Sequence, residues 1–92
     1  MRAAIDLTVE AQADLARIVD FLFDNSERLA WQFADAYETT LELLRDFPLI
    51  GVERDGYRRL RVGQTGSRLI YVTLGDLVRI ARIEHMKTPH PF

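Results

Sequence analysis

The sequence predicts an α+β domain in which a hairpin of two helices packs on one face of a mostly antiparallel four-stranded sheet. Three observations lead to this fold class. Residues 9–24 and 27–46 repeat apolar side chains at helical spacing. Three short β-type runs follow, each bounded by turn residues. A short, half-apolar segment before the helices, residues 2–7, supplies the fourth strand. The predicted order is therefore β-α-α-β-β-β.

Each predicted helix has a capping residue in front of it. Thr8 precedes the first helix, and Glu10 suits the positive end of that helix. Ser26 precedes the second helix, which stops at Phe47-Pro48 because the residue before a proline is pushed out of the α region. A connection of only two or three residues makes the two helices an antiparallel hairpin.

The strands of the C-terminal part are predicted over residues 57–62, 67–72 and 77–85, after a loop over residues 48–56. A turn over residues 63–66 joins the first two strands, and Gly75-Asp76 joins the last two. Strict alternation places Leu69 with Tyr71 on one face and Arg68 on the other. In the last strand, strict alternation places Val78, Ile80 and Arg82 on one face. It places Arg79, Ala81, Ile83 and His85 on the other face. Residues 86–92 contain two prolines and are predicted to be an irregular tail.

Length and composition restrict the class of protein. The 92 residues form one domain, residues 1–92, with 48% apolar residues and no cysteine. Disulfides, thiol nucleophiles and thiolate metal sites are therefore excluded. No apolar run is long enough to span a membrane, and the N-terminus lacks the pattern of a signal peptide. We expect a cytoplasmic protein that needs no membrane partner.

Charge divides the chain into an acidic part and a basic part. Residues 1–56 carry five basic and twelve acidic side chains, whereas residues 57–92 carry seven basic and two acidic ones. The total of −2 therefore hides a net charge of −7 on the helical part and +5 on the strands. A basic sheet of this kind attracts phosphate groups or an acidic protein segment.

Arg68 and His85 are the residues that chemistry could use. The planar guanidinium of Arg68 could hold a phosphate in bidentate fashion, or it could pair with an acid such as Glu84 or Asp76. His85 could act as a general acid or base, or it could be a surface or partner-contacting histidine at a strand end. Glu84 and His85 are neighbours in a strand, so we expect their side chains to point to opposite faces.

Arginines elsewhere in the strands form the candidate binding surface. Arg59 and Arg61 are predicted to share one face of their strand, with Arg58 on the other. This cluster could follow a nucleic-acid backbone, or it could bind an acidic amphipathic peptide. Neither histidine has further ligands at metal-binding spacing, and no glycine-rich phosphate loop precedes a helix. We therefore expect no metal and no cofactor. The predicted binding residues of this surface are Arg58, Arg59, Arg61, Arg79 and Arg82.

The ordered set of motifs resembles the ParE/RelE superfamily, the small toxins of bacterial type II toxin–antitoxin pairs. The resemblance covers residues 5–86. It is carried by residues 7–15 (LTVEAQADL), 47–51 (FPLIG), 58–62 (RRLRV), 68–71 (RLIY) and 78–85 (VRIARIEH).

The resemblance implies one of two activities. RelE-like members cut mRNA on the ribosome, whereas ParE-like members inhibit growth by poisoning DNA gyrase. The resemblance further implies a role in plasmid stabilisation. Arg68 matches the arginine of the Arg-Leu-hydrophobic-Tyr motif, and His85 matches a histidine that some nucleases use. The middle strands lack lysine, no tyrosine follows His85, and the helical hairpin is long. These departures favour the ParE-like activity, with Arg61, Arg68 and His85 as the catalytic candidates if the protein is a nuclease.

The resemblance also implies a protein partner. Type II antitoxins wrap a disordered acidic or amphipathic segment around the toxin, and the groove between the helical hairpin and the basic sheet would receive such a segment. We therefore expect a toxin–antitoxin hetero-oligomer in which the arginine face is covered. The target would be DNA gyrase or, for the nuclease, the ribosome with its mRNA. A degenerate, inactive member is the third possibility.

Overall fold

The structure, a computed structural model, describes residues 2–86 and confirms the predicted α+β class. Within these residues, two helices pack on one face of a sheet that has five strands, one more than predicted. The elements in chain order are β1 (Ala4–Leu7), α1 (Val9–Asn25), α2 (Glu27–Asp46), β2 (Val52–Arg54), β3 (Tyr57–Arg61), β4 (Ser67–Leu74) and β5 (Leu77–His85). Met86 lies in a turn, and the remainder of the predicted tail, residues 87–92, lies outside the described residues.

The predicted caps begin both helices. The Thr8 hydroxyl accepts a hydrogen bond from the Ala11 N–H at 3.0 Å and donates one to the Ala81 carbonyl at 2.7 Å, which ties α1 to β5. The Ser26 hydroxyl accepts a hydrogen bond from the Leu29 N–H at 3.3 Å. None of the helices within residues 2–86 combines the length and the apolar character that a membrane-spanning helix needs.

The strand order in the sheet is β1-β5-β4-β3-β2. β1 runs parallel to β5, and the other neighbouring strands are antiparallel. The core lies between the sheet and the helical hairpin. Its largest fully buried apolar side chains are Tyr71, Phe33, Ile18, Leu44, Leu69, Ile80 and Ile83.

The fifth strand, β2, lies inside the predicted loop over residues 48–56. Val52 pairs with Arg59 and Arg54 pairs with Tyr57. Asp55-Gly56 is the two-residue turn between these strands, with φ of 55° and 85°, the positive values that a tight hairpin turn requires. The Asp-Gly pair is a strong hairpin signal in the sequence. The predicted loop over residues 48–56 is wrong because it was inferred from the glycines and the proline of this segment and not from that pair.

A β-bulge corrects the predicted faces of β5. Tyr71 pairs with Ile80 whereas Ile70 pairs with Arg82, so Ala81 is an extra residue without a cross-strand partner. After the bulge the alternation reverses. Val78, Ile80, Ile83 and His85 are therefore all buried on the helix-facing side, whereas Arg79 and Arg82 are exposed. The predicted grouping of Ile83 and His85 with Arg79 is wrong because strict alternation admits no extra residue.

Candidate functional site

The sheet face that points away from the helices carries most of the strand arginines. We call this face, with Arg59, Arg61, Arg68, Arg79 and Arg82, the open face. Register places Arg59 beside Ile70 and Arg61 beside Arg68, whereas Arg58 lies beside the buried Tyr71. The predicted separation of Arg58 from Arg59 and Arg61 is thus confirmed. The exposed arginines of β5, Arg79 and Arg82, extend the open face toward β1.

Arg58 is held by the backbone of the loop before β2. Its guanidinium donates hydrogen bonds to the carbonyl oxygens of Leu49, at 3.1 Å, and Gly51, at 2.8 Å. On the same side, the hydroxyl of the buried Tyr71 accepts a hydrogen bond from the Gly51 N–H at 2.8 Å. The pKa of this phenol is raised, because burial disfavours its charged form. Arg58 therefore fixes a loop and does not belong to the open face.

Arg79 and Arg82 each form a bidentate ion pair within the chain. Arg79 contacts both carboxylate oxygens of Asp6 at 3.0 Å, and it lowers the pKa of that exposed carboxyl. Arg82 contacts both oxygens of Asp14 at 2.8 and 3.0 Å. Their charges are therefore largely balanced by acids of β1 and α1.

Asp14 is a central polar residue that the sequence analysis did not single out. Its side chain is 1% exposed, and besides Arg82 it contacts Arg17 at 2.6 Å and the Ile83 N–H at 3.0 Å. Burial alone would raise the pKa of Asp14, but these hydrogen bonds outweigh it and lower the pKa to about 2. β1 pairs with β5 only as far as Ile80, so the Ile83 N–H lies beyond the end of β1. The Asp14 carboxylate accepts the hydrogen bond from this N–H. The sequence signal that could have identified Asp14 is its position. It is a carboxylate in the first half of an amphipathic helix, at a helical spacing that otherwise places apolar side chains in the core.

Arg59 and Arg61 are the predicted binding arginines of the open face whose charges meet no acid within residues 2–86. Among the described residues, the Arg59 guanidinium donates only to the Arg54 carbonyl, at 3.1 Å. The Arg61 side chain has no hydrogen bond or ion pair in the described part of the chain, and its residue lies directly opposite Arg68 in the ladder. Like charges in directly opposite positions destabilise a sheet. The uncompensated charge of the open face is therefore concentrated on the β3 side.

Arg68 takes the acidic partner that the sequence suggested. Its Nε lies 2.6 Å from Glu84 Oε1, and the two side chains are 51% and 36% exposed. Exposed pairs of this kind contribute little to stability. Arg68 thus remains accessible to solvent beside Arg61, although Glu84 offsets part of the charge.

His85 is buried at the end of β5 and is not a surface histidine. It is 4% exposed, and its Nδ1 lies 2.5 Å from the hydroxyl oxygen of Ser67, the residue directly opposite in β4. The Phe21 ring lies 6.3 Å away, centroid to centroid. Glu84 and His85 point to opposite faces, as predicted. Ser67 was not a predicted site residue, and only the register of the two strands brings it to His85.

Two clefts meet beside His85. An apolar cleft of about 580 Å³ lies between the helical hairpin and the β3–β4 turn. A second cleft opens toward the sheet and is lined by Arg61, Arg68 and Glu84. Residues 2–86 contain no group of three histidine, aspartate or glutamate side chains that could hold a metal ion. The catalytic candidates Arg61, Arg68 and His85 therefore line one cleft, in which His85 is largely covered.

Solved toxin structures share this architecture. The chain is similar to a chain of the chromosomal ParDE toxin–antitoxin system of P. aeruginosa, with a TM-score of 0.73 and 20% identity over 94% of this chain and 98% of the other. It is also similar to a chain of the RelBE2 toxin–antitoxin complex of Mycobacterium tuberculosis, with a TM-score of 0.64 and 24% identity over 92% of this chain and 99% of the other. A third similar chain belongs to the heterotetrameric YoeB–YefM toxin–antitoxin complex of Staphylococcus aureus, with a TM-score of 0.58 and 15% identity over 92% of this chain and 98% of the other. At these identities the similarity establishes the fold.

Sequence comparison identifies the family. No curated protein sequence gives a significant match. Residues 5–89 match the family model described as the ParE toxin of the type II toxin–antitoxin system parDE. This match includes both helices and all the strands except the first residue of β1. The chain therefore belongs to the ParE toxin family, within the ParE/RelE superfamily of type II toxins.

Proposed function

We propose that this toxin inhibits bacterial growth by binding DNA gyrase in the cytoplasm, without catalysing a reaction of its own. The observation that carries the proposal is the environment of His85. A general acid or base has to come within hydrogen-bond reach of the reacting atom. His85 is 4% exposed and its Nδ1 lies against the Ser67 hydroxyl, which suits a residue that joins β4 to β5.

Ribonuclease activity is the alternative, and one observation favours it. Arg61, Arg68 and His85 line the same cleft at the end of the sheet. Two guanidinium groups there could bind a phosphodiester, and movement of the β3–β4 turn would uncover the histidine. Under this alternative, replacing His85 abolishes activity while the protein remains folded.

Controlled expression in a bacterial host separates the two functions. DNA integrity and mRNA ends are measured in parallel for the wild type, Arg68→Ala and His85→Asn. Asparagine keeps a polar group near Ser67, and a thermal melt of the purified variant verifies folding. We expect broken DNA, intact mRNA and a His85→Asn variant that is still toxic. Cut mRNA that disappears in a folded His85→Asn protein would establish the nuclease instead.

We also propose that a cognate antitoxin covers the open face in a hetero-oligomer. The similar structures of P. aeruginosa, M. tuberculosis and S. aureus are toxin–antitoxin systems or complexes. Of the binding candidates on the open face, Arg59 and Arg61 have no acidic partner within residues 2–86, whereas Arg79 and Arg82 have one each. An acidic antitoxin segment would supply the missing charges.

Charge reversal tests this assignment. The double variant Arg59→Glu/Arg61→Glu should lose neutralisation by the antitoxin when the two proteins are co-expressed. Arg28→Glu on α2 is the matched control, because Arg28 is exposed, has no side-chain partner within residues 2–86 and lies on the helical hairpin. Unchanged antitoxin affinity and toxicity in the double variant would contradict the assignment.

A further inference from the structure

The helical hairpin carries an exposed aromatic pair on the side that points away from the sheet. Phe23 of α1 and Trp31 of α2 lie edge to face, with their ring centroids 5.9 Å apart, and they are 45% and 57% exposed. Neither residue belongs to the buried positions with which the two helices pack on the sheet. Exposed apolar patches commonly mark interaction sites, and tryptophan is enriched among the residues that dominate interface energies.

Acidic side chains surround this aromatic pair. Residues 20–38 contain five acids and one base, Arg28, and all six side chains are exposed. Glu27 accepts a hydrogen bond from the Trp31 indole at 3.4 Å, and Asp35 lies four residues after Trp31 on the same side of α2. No basic side chain within residues 2–86 forms an ion pair with any of the five acids. We call the surface formed by Phe23, Trp31, Asp20, Asp24, Glu27, Asp35 and Glu38 the outer hairpin face.

The open face of the sheet has the complementary composition. Alternation along β4 places Ile70, Val72 and Leu74 on this face, where the first two are half-buried and Leu74 is 49% exposed. Ile70 lies directly opposite Arg59 of β3. Because Arg59 and Arg61 meet no acid within residues 2–86, uncompensated positive charge borders this apolar strip. The open face therefore matches the outer hairpin face in both apolar surface and charge.

The two surfaces lie on opposite sides of the molecule, because the helices cover only one face of the sheet. One copy cannot bring its own two surfaces together, and two rigid copies cannot form both contacts at once. Copies can associate through these surfaces only head to tail, with the outer hairpin face of one on the open face of the next. A heterologous contact of this kind leaves a free surface at each end, where a third copy can add.

We propose that free copies of this toxin stack head to tail through these two surfaces. Phe23 and Trp31 of one copy cover the apolar strip of β4 in the next, and the neighbouring carboxylates pair with Arg59 and Arg61. Apolar burial supplies affinity, charge supplies orientation, and an indole beside a guanidinium adds a cation–π contact. The occupant is a second copy because the chain itself carries −7 on residues 1–56 and +5 on residues 57–92. Stacking does not depend on the gyrase proposal, and it would compete with any other partner of the open face.

Sedimentation velocity of the purified full-length toxin tests the association itself. The protein is compared at about 0.01 M and about 1 M salt, for which the Debye length is about 30 Å and about 3 Å. We expect a mass that rises with protein concentration past that of a dimer at low salt, and an association about tenfold weaker or more at high salt. Trp31 is the only tryptophan of the chain, so its emission should shift to shorter wavelength as copies associate.

Mixing two variants tests whether the contact is head to tail. Trp31→Ser removes the aromatic anchor of the outer hairpin face, and Arg59→Glu/Arg61→Glu reverses the charge of the open face. Each variant alone should self-associate about tenfold more weakly than the wild type, whereas the mixture should form a one-to-one complex. Each protein then supplies the surface that the other lacks. Only the arginine double variant contains a tryptophan, so its emission shift on addition of Trp31→Ser measures this contact alone.

Controls separate this contact from nonspecific association and from unfolding. Phe47→Ser removes an aromatic side chain that is 59% exposed and lies outside both surfaces, and it should associate within about twofold of the wild type. Thermal melts followed by circular dichroism verify that every variant is folded. Asp35→Lys/Glu38→Lys is the second hairpin variant, and it replaces Trp31→Ser in the mixture if the serine variant does not fold.

Three results would overturn the inference. The first is a wild type that stays monomeric at every concentration in low salt. The second is a dimer of fixed mass that is insensitive to salt and to Trp31→Ser, since this would be an isologous contact elsewhere on the surface. The third is a mixture of folded variants that shows no complex and no emission shift. An equal loss of association in Phe47→Ser would likewise reject these surfaces in favour of nonspecific apolar contact.

Discussion

Asp14 is expected to be among the most important polar side chains for stability, and Asp14→Asn tests this directly. The folded carboxyl has a pKa of about 2 against an ordinary value of 3.8, a difference that corresponds to about 2 kcal/mol at neutral pH. We expect Asp14→Asn to lower the free energy of unfolding by about that amount. Asp14→Ala should lose about 1–3 kcal/mol more, because the buried Ile83 N–H then has no acceptor.

The pH dependence follows from the direction of this shift. A depressed folded-state pKa contributes stability that is fully present above the unfolded pKa and is lost as the pH falls through the folded pKa. The contribution of Asp14 is therefore complete above about pH 5, has decreased by about 1 kcal/mol at pH 3 and is largely gone below pH 2. The destabilisation by Asp14→Asn should accordingly be smaller at pH 3 than at pH 7.

Urea unfolding at pH 7 and pH 3, followed by circular dichroism, provides the measurement. Asp6→Asn is the matched control, because Asp6 also forms a bidentate pair with an arginine but is 44% exposed. We expect the control to lose much less stability. The reasoning is refuted if Asp14→Asn unfolds within about 0.5 kcal/mol of the wild type, the size expected of an ordinary surface substitution. It is also refuted if the difference is the same at both pH values.

Three further substitutions test the contacts that hold the loop and the first helix. Tyr71→Phe should cost about 1–3 kcal/mol in the free energy of unfolding, because it leaves the Gly51 N–H without its acceptor, whereas Tyr57→Phe on the exposed β3 end should cost almost nothing. Gly51→Ala should cost about 1–3 kcal/mol, because the new Cβ would lie 2.6 Å from the Tyr71 hydroxyl; a neutral result would show that the loop can move away. Thr8→Ala should cost about 1–2 kcal/mol, because it removes the cap of α1 and the hydrogen bond to Ala81; equal melting temperatures would contradict this.

The sequence predicted the features that depend on neighbouring residues. The caps Thr8 and Ser26 and the helix end at Phe47-Pro48 are local signals, and the structure confirms all three. The alternation of Leu69 and Tyr71 against Arg68 is also local, and it gave the correct buried face of β4.

Features that depend on register between strands were not predictable from one strand at a time. The extra residue Ala81 reverses the faces of the second half of β5, and no residue type in that run marks a bulge. The same register brings Ser67 to His85, and His85 is buried there, so the surface histidine that was one of the alternatives is ruled out. A two-strand pairing scheme is the minimum information that would have revealed either feature.

The candidate binding surface was predicted in outline but not in detail. All five predicted arginines are on the strands, yet the structure separates them by their partners. Arg58 holds a loop, Arg79 and Arg82 pair with acids from distant elements, and Arg59 and Arg61 meet no acid within residues 2–86. Pairings across dozens of residues decide which arginines remain available, and composition contains no information about them.

DNA supercoiling by purified gyrase, in the presence of the purified toxin, tests the proposed target most directly. Wild-type toxin and a folded His85→Asn variant should both inhibit supercoiling, and reporter mRNA added to a translating extract should stay intact. If gyrase retains full activity at toxin excess while the wild type cuts mRNA on ribosomes and His85→Asn does not, His85 is catalytic and the gyrase proposal is wrong.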